Sequence, residues 1–255
     1  MTSAGARKMS DVDAEHLADL NSGQAEARTL TEALAIDHAT LLSAVVPDAP
    51  DELTRAVEDA QALGVLKRMA AIGAALRDSL PADALAGLAV HPSDTVRGWW
   101  CFSTTSDSDR TSEQLLAACK PLADDACFTV REWVWMALRP RLVENLADSI
   151  SLLVPWTAEE SANLRRFASE SLRPRGVWAA HIAALKSDPG QGEPILEPLR
   201  SDPSRYVQDS VANWINDAAK TAPDWATALC ERWRTESPTT ETARITTRAL
   251  RSLKW

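Results

Sequence analysis

Glycine and most aromatic residues are scarce in this chain of 255 residues. It has only 9 glycines, one tyrosine and three phenylalanines. Alanine, leucine, arginine and glutamate are abundant instead, and all four are good helix formers, whereas glycine is a poor one. The composition therefore favours α-helix over β-strand. All ten tryptophans lie between Trp99 and Trp255, which suggests that the C-terminal two thirds has a task of its own.

Long apolar runs are also missing. No stretch approaches the roughly 20 residues needed to span a bilayer, and residues 1–28 contain no apolar core of a signal peptide. We therefore expect a cytoplasmic protein without membrane contact, with a flexible tail over residues 1–27. The cysteines have neither CxxC spacing nor neighbouring histidines, which predicts reduced thiols and neither metal nor cofactor. They are Cys101, Cys119, Cys127 and Cys230.

Positive charge is in deficit, because the net charge is −9, and this argues against a general nucleic-acid coat protein. The deficit is uneven. Residues 1–95 hold 7 Lys/Arg against 15 Asp/Glu, a net of −8, whereas residues 96–255 hold 20 against 21, a net of −1. Residues 96–255 are therefore able to carry a basic face even though the net charge of the whole chain is negative.

One short phrase recurs along the chain: an acidic residue or histidine, a turn, an apolar residue and then arginine. The copies are His91–Arg97, Asp125–Arg131, Glu159–Arg165, Asp202–Gln208 and, more weakly, Pro238–Arg244. Their apolar positions are spaced by 34, 34, 43 and 36 residues, periods typical of two-helix repeats that bury their apolar faces by stacking. We predict an all-α, HEAT-like helical-repeat solenoid forming a single elongated domain over residues 28–255, irregular at 28–90 and regular from about 91.

Two polar stripes at helical spacing lie beside apolar stripes. The first contains Asn163, Arg166 and Glu170, and the second contains Tyr206, Ser210, Asn213 and Asp217. Such stripes indicate a recognition surface. The pattern alone equally allows Glu170 and Asp217 to be solvated helix charges and Trp178 to be a core residue.

A resemblance covers nearly the whole chain from about residue 28. Residues Leu164-Arg-Arg-Phe-Ala-Ser-Glu-Ser-Leu-Arg-Pro-Arg-Gly-Val-Trp178 and Asp202-Pro-Ser-Arg-Tyr-Val-Gln-Asp-Ser-Val-Ala-Asn-Trp-Ile-Asn-Asp-Ala-Ala-Lys220 resemble the AlkC/AlkD-type DNA alkylation-repair glycosylases, most of all the AlkC branch. The opening Leu30–Leu42 is similar to the N-terminal helix of that branch.

The resemblance implies hydrolysis of the N-glycosidic bond of N3- and N7-alkylated purines in double-stranded DNA, without base flipping and by a monomer. It places the catalytic residues at Glu170, Trp178 and Asp217. Candidate phosphate contacts are Arg139, Arg141, Arg166, Arg173, Arg175 and Lys220. Arg131 and Arg165 occupy the repeated position, so we expect these two arginines to tie helices together instead.

The chain departs from the family at two places. A further glutamate of AlkC relatives is replaced by Cys127, and about eight extra residues lie between Arg139 and Glu159. Two alternatives remain open at this point. A non-catalytic HEAT scaffold that binds DNA backbone or protein explains the repeats, and a thiol enzyme would use Cys127.

Overall fold

The computed structural model describes residues 5–253, which form sixteen α-helices, four short 3-10 helices and no β-strand. The prediction of an all-α fold is confirmed. No helix in the described range combines the length and apolarity needed to cross a membrane. The α-helices are α1 (Ala14–Asn21), α2 (Leu30–Ala35), α3 (His38–Val45), α4 (Asp51–Ala60), α5 (Val65–Ser79), α6 (Ala82–Leu88), α7 (Asp94–Thr105), α8 (Ser112–Ala123), α9 (Phe128–Glu144), α10 (Leu146–Leu153), α11 (Ala162–Glu170), α12 (Ala183–Ser187), α13 (Glu193–Leu196), α14 (Arg205–Ala219), α15 (Pro223–Glu236) and α16 (Thr240–Ala249).

The chain divides into two compact units between Leu138 and Arg139, whereas the sequence treats residues 28–255 as one domain. In the first unit α7 packs on α5, α6 and α8, and α5 also packs on α4. A Cβ atom at Gly73 would lie 2.6 Å from backbone atoms of Phe102 and Ser103. Glycine at this position therefore allows the close approach of α5 and α7.

The N-terminal segment differs from the predicted flexible tail. Residues 14–21 form α1, and Leu20 is fully buried. The buried carboxylate of Glu32 accepts hydrogen bonds from the backbone N–H groups of Ala6 (2.9 Å) and Arg28 (2.7 Å), and it also pairs with the Arg28 guanidinium. The sequence does not predict the contact of Ala6 with Glu32, because these residues are 26 positions apart. Residues 1–4 of the predicted tail are outside the described range.

The arginine of the repeated phrase has the same role in three copies. Arg97, Arg131 and Arg165 each donate from Nη1 to the carbonyls of the residues six and five positions earlier, at 2.5–2.9 Å. Arg97 also pairs with Asp125 (3.0 Å), and Arg165 pairs with Asp202 (2.6 Å), the first residue of the next copy within the same unit. Arg165 therefore ties its helix to the start of the next copy, as predicted. The bonds of Arg131 join its helix to the loop before it, and the tie between helices predicted for Arg131 stays a prediction.

In the second unit α14 is the central helix, and it packs on α11, α12, α15 and α16. Its Trp214 is buried, and a Cβ atom at Gly192 would lie 2.3 Å from the Trp214 ring. The fourth copy of the phrase ends in Gln208, whose Nε2 donates to the carbonyl of Asp202 at 2.8 Å. Gln208 therefore makes the bond that arginine makes elsewhere. The packing of α11 on α14 creates the candidate site.

Candidate active site between two helices

The two polar stripes of the sequence face each other across the contact between α11 and α14. The Arg166 guanidinium lies 4.4 Å from the centre of the Tyr206 ring, a cation–π distance. One turn along, Ser210 Oγ donates to Glu170 Oε2 at 2.6 Å. These four residues therefore form a polar layer between the two helices rather than two surfaces open to solvent.

Glu170 is the last residue of α11 and is only 4% exposed. A carboxylate at a helix C-terminus faces the unfavourable end of the helix dipole, so its charge needs other partners. Arg173 Nη1 lies 2.7 Å from Oε1, and Arg166 Nη2 lies 3.7 Å from Oε2. Burial alone raises the pKa of Glu170, but the charges of Arg166 and Arg173 and the hydrogen bond from Ser210 bring it below its ordinary value. Glu170 is therefore ionised at neutral pH.

Asp217 is the second carboxylate, and it is 5% exposed near the end of α14. Arg173 donates to its Oδ2 from Nε at 3.0 Å and from Nη2 at 2.8 Å. The other oxygen, Oδ1, lies 3.3 Å from Nζ of the partly exposed Lys220. The two oxygens thus differ, because one is bound by a buried guanidinium and the other by a lysine at the protein surface.

Both alternatives that the pattern left open for these residues are wrong. Glu170 and Asp217 are buried ion-pair partners rather than solvated helix charges. Trp178 is 43% exposed and is therefore not a core residue. Its backbone has a φ of +60°, a conformation that costs a bulky residue on the order of 1–3 kcal/mol. Neighbouring Val177 is 53% exposed. No sequence pattern singles out this adjacent exposed apolar residue.

Arg173 and Arg139 require corrections to their predicted phosphate contacts. The Arg173 guanidinium is engaged by Glu170 and Asp217, and these charges raise its pKa against the opposing effect of burial. Arg139 is 3% exposed and donates to the carbonyls of Ser171 (2.8 Å), Arg173 (2.6 Å) and Ala180 (3.1 Å). Both guanidinium groups are therefore occupied by contacts within the protein. Their spacing in the sequence did not show this, because it does not distinguish buried from exposed arginines.

The remaining predicted phosphate contacts are distributed around the carboxylates, with one exception. Arg175 is half-buried, and its Nε donates to the Asp217 carbonyl at 3.2 Å. Lys220 pairs with the side chain of the same aspartate. Arg141 instead lies 3.3 Å from Glu144 on its own helix. The structure therefore places Arg166 and Lys220 beside the carboxylates and Arg175 beside the backbone carbonyl of Asp217, and it pairs Arg141 with Glu144.

Cys127 belongs to the first unit and is buried. Its Sγ lies 3.0 Å from Thr129 Oγ1, and burial raises the pKa of the thiol above its ordinary value. A nucleophilic cysteine needs the opposite shift, so the thiol-enzyme alternative does not fit this geometry. Within residues 5–253, no group of three or more His, Cys, Asp or Glu side chains is arranged to hold a metal ion.

Comparison with known proteins places the chain among helical-repeat proteins. No family model matches it. The uncharacterized protein YhaZ of Bacillus subtilis (strain 168) is 33% identical over 192 residues, which is 74% of this chain and 53% of YhaZ. Alkylpurine DNA glycosylase AlkC of Pseudomonas fluorescens, solved bound to DNA containing an abasic site analog, matches with a TM-score of 0.70 and 26% identity over 98% of this chain and 65% of AlkC. AlkD2 of Streptococcus mutans matches in fold, with a TM-score of 0.63 and 19% identity over 80% of this chain and 98% of AlkD2.

The predicted helical-repeat architecture is confirmed by these structures. The chain spans only 53% of YhaZ and 65% of AlkC, so both of these relatives are longer.

Proposed function

Because the chain has the AlkC/AlkD-type helical-repeat fold, we propose that it is a DNA repair glycosylase. Its substrate is double-stranded DNA containing N3- or N7-alkylated purines, and it hydrolyses the bond between the damaged base and deoxyribose. The proposal rests above all on one observation: two buried carboxylates, Glu170 and Asp217, share Arg173, which belongs to the same loop as the exposed and backbone-strained Trp178.

The chemistry suits a site that offers negative charge without a general acid. A purine alkylated at N3 or N7 is cationic, so it leaves as a neutral base once the C1′–N bond breaks and its electron pair moves onto the purine. Positive charge then develops on the sugar, and a fixed carboxylate stabilises that charge. Water adds to C1′ and loses one proton, which completes the hydrolysis.

The different surroundings of the carboxylates assign them different roles. Both oxygens of Glu170 accept hydrogen bonds, from Arg173 and Ser210, which makes it a fixed negative charge for the developing cation. Asp217 Oδ1 faces the exposed side chain of Lys220 at 3.3 Å. Asp217 is therefore the better group to orient the attacking water and accept its proton.

Trp178 supplies a ring face for the cationic lesion or the sugar. Such a contact contributes roughly 0.5–2 kcal/mol. An exposed tryptophan on a loop is suited to approach a base that stays within the duplex, and we propose, as the family resemblance implies, that the base is not flipped. Arg175 and Lys220, which both contact Asp217, are the candidate phosphate contacts. We also retain the cytoplasmic location and the monomeric state as proposals.

The decisive experiment incubates purified protein with methylated duplex DNA and measures release of 7-methylguanine and 3-methyladenine by chromatography. We expect release by wild type and a severe loss in Asp217→Asn. If wild type binds DNA normally but releases neither base, the glycosylase proposal fails. The non-catalytic alternative, a helical-repeat scaffold that binds DNA backbone, would then stand.

A further inference from the structure

The loop 171–182 carries Trp178 and joins α11 to α12. Its tip is exposed at Val177 and Trp178, and the left-handed backbone at Trp178 is unfavourable for a tryptophan. A strained conformation persists only where surrounding contacts enforce it. The contacts that close this loop are therefore part of what presents Trp178.

Arg139 makes most of those contacts. Its guanidinium donates to Ser171 and Arg173 on the first side of the loop and, from both Nε (3.3 Å) and Nη2 (3.1 Å), to Ala180 on the second side. One further bond closes the same loop, from the backbone N–H of Ile182 to the carbonyl of Pro174 at 3.0 Å. Because the guanidinium is planar and has five N–H donors, it is able to hold both sides at a fixed separation.

Arg139 is a buried arginine that keeps its charge. Burial, and after it the charge of Arg173, lowers the pKa of Arg139 to about 10, so the group remains charged at neutral pH. Within residues 5–253, it has no salt-bridge partner; its N–H groups donate to backbone carbonyls, and the charges of Glu170 and Asp217 also favour its charged form. The buried charge of Arg139 therefore favours the loop conformation in which the carbonyls of Ser171, Arg173 and Ala180 face its guanidinium.

We propose that Arg139 is a positioning residue, which clamps the loop 171–182 and so fixes Trp178 in the conformation needed for lesion contact. The link to excision rests on the proposed function, whereas the clamp itself does not. Lysine is a poor substitute, because its single ammonium group does not reproduce the planar fork.

The clamp is tested without activity by limited trypsin digestion of folded protein. The bond after Arg175 is the useful reporter, because Arg173 precedes proline and resists trypsin. We expect Arg139→Gln to increase the rate of cleavage after Arg175, with Arg139→Lys intermediate. Arg165→Gln is the control in the same unit: Arg165 donates to two backbone carbonyls and pairs with Asp202, and all of these partners lie outside this loop. Cleavage unchanged in Arg139→Gln, or increased equally in Arg165→Gln, would overturn the clamp.

The link to Trp178 is tested by single-turnover excision in Arg139→Gln, Trp178→Ala and the double variant. We expect Arg139→Gln alone to slow excision about 10- to 100-fold, the scale expected for misplacing a catalytic group by about 1 Å. Its effect should shrink strongly in the Trp178→Ala background, because the two residues act through one loop. Equal effects in both backgrounds overturn the positioning role. If wild type releases no base at all, the proposed function fails, and the digestion experiment still decides whether the clamp exists.

Discussion

Glu170 and Asp217 are carried by different helices, yet they share the guanidinium of Arg173 as a common partner. Burial raises the pKa of Glu170, but the charges of Arg166 and Arg173 bring it below its ordinary value, and the same Arg173 guanidinium lies 2.8 Å from the Asp217 carboxylate. The site therefore holds its negative charge before any substrate arrives. Such a preorganised charge is effective against a cation that develops in the transition state.

Replacing Arg173 tests this relationship. Arg173→Gln should raise the pKa of Glu170, because it removes a charge that holds that pKa low. The acid limb of the pH–rate profile for excision should therefore move to higher pH. Breaking a buried ion pair should also lower the free energy of unfolding by roughly 3–5 kcal/mol. Arg173→Lys keeps the charge and should shift the profile less. If the acid limb of the profile is unchanged in Arg173→Gln, Glu170 is not the ionised group that excision requires.

Removing the charge of Asp217 should slow excision most directly. We expect Asp217→Asn to reduce the single-turnover rate by roughly 10²–10³, the scale of one preorganised electrostatic contact. Asp209→Asn provides a matched control on the same helix, because Asp209 pairs with Arg244 (2.7 Å) and Arg248 (3.0 Å) on a more exposed face. Similar rates for the two variants would count against Asp217 as the water-orienting group.

Salt dependence of DNA binding should identify the phosphate contacts. Replacing Arg175 and Lys220 together by glutamine should make the log–log slope of affinity against salt less steep, by about 0.9 for each phosphate that the double variant no longer neutralises. Arg232→Gln is the control, since Arg232 is partly exposed in the same unit but pairs with Glu193 and Glu197. A slope that the double variant leaves unchanged excludes both residues as phosphate contacts.

Cys127 offers a gain-of-function test. The family resemblance places a glutamate at this position, so Cys127→Glu should raise excision or broaden the range of lesions accepted. Because Cys127 is buried and the negative charge of Asp94 is felt there, the new carboxylate should also lower stability. Cys127→Gln has the same shape without the charge and should leave excision near the wild-type rate. Identical behaviour of the two variants contradicts a role for charge at this position.

Glu32 predicts how stability of the first unit depends on pH. Although burial opposes ionisation, hydrogen bonds from Ala6 and Arg28 lower the pKa of Glu32 to about 2. A lowered pKa means that this stabilisation is present above the unfolded value of 4.5 and is lost as pH falls towards 2. At pH 7, Glu32→Gln should cost on the order of 2–3 kcal/mol of unfolding free energy. Chemical denaturation should show the difference from wild type shrinking between pH 5 and 2. A difference in unfolding free energy that stays constant between pH 5 and 2 would refute the role of ionised Glu32 in stability.

Much of the fold was predictable because the repeated phrase carries its own geometry. Val96, Val130 and Val207 mark buried helix positions, and the residues that follow them, Arg97, Arg131 and Gln208, each donate back to their own loops. The resemblance, rather than the spacing, points to Glu170 and Asp217 as candidate catalytic residues, because their spacing allows solvated charges equally well. Burial of Arg139 was not predictable, since the carbonyls that accept its bonds lie 32 to 41 residues away in sequence. The left-handed backbone of Trp178 also depends on those long-range bonds.

The bond that Gln208 makes in place of arginine has a consequence for recognising such repeats by sequence. Its acceptor is a main-chain carbonyl, which every residue type provides, so only the donor's length and an N–H group are constrained. The residues around that donor can therefore be substituted while the bond persists. As a result, the sequences of the repeats can diverge while their shared structure is kept. A search pattern for related chains should accept either arginine or glutamine at this position and leave the acceptor residue unspecified.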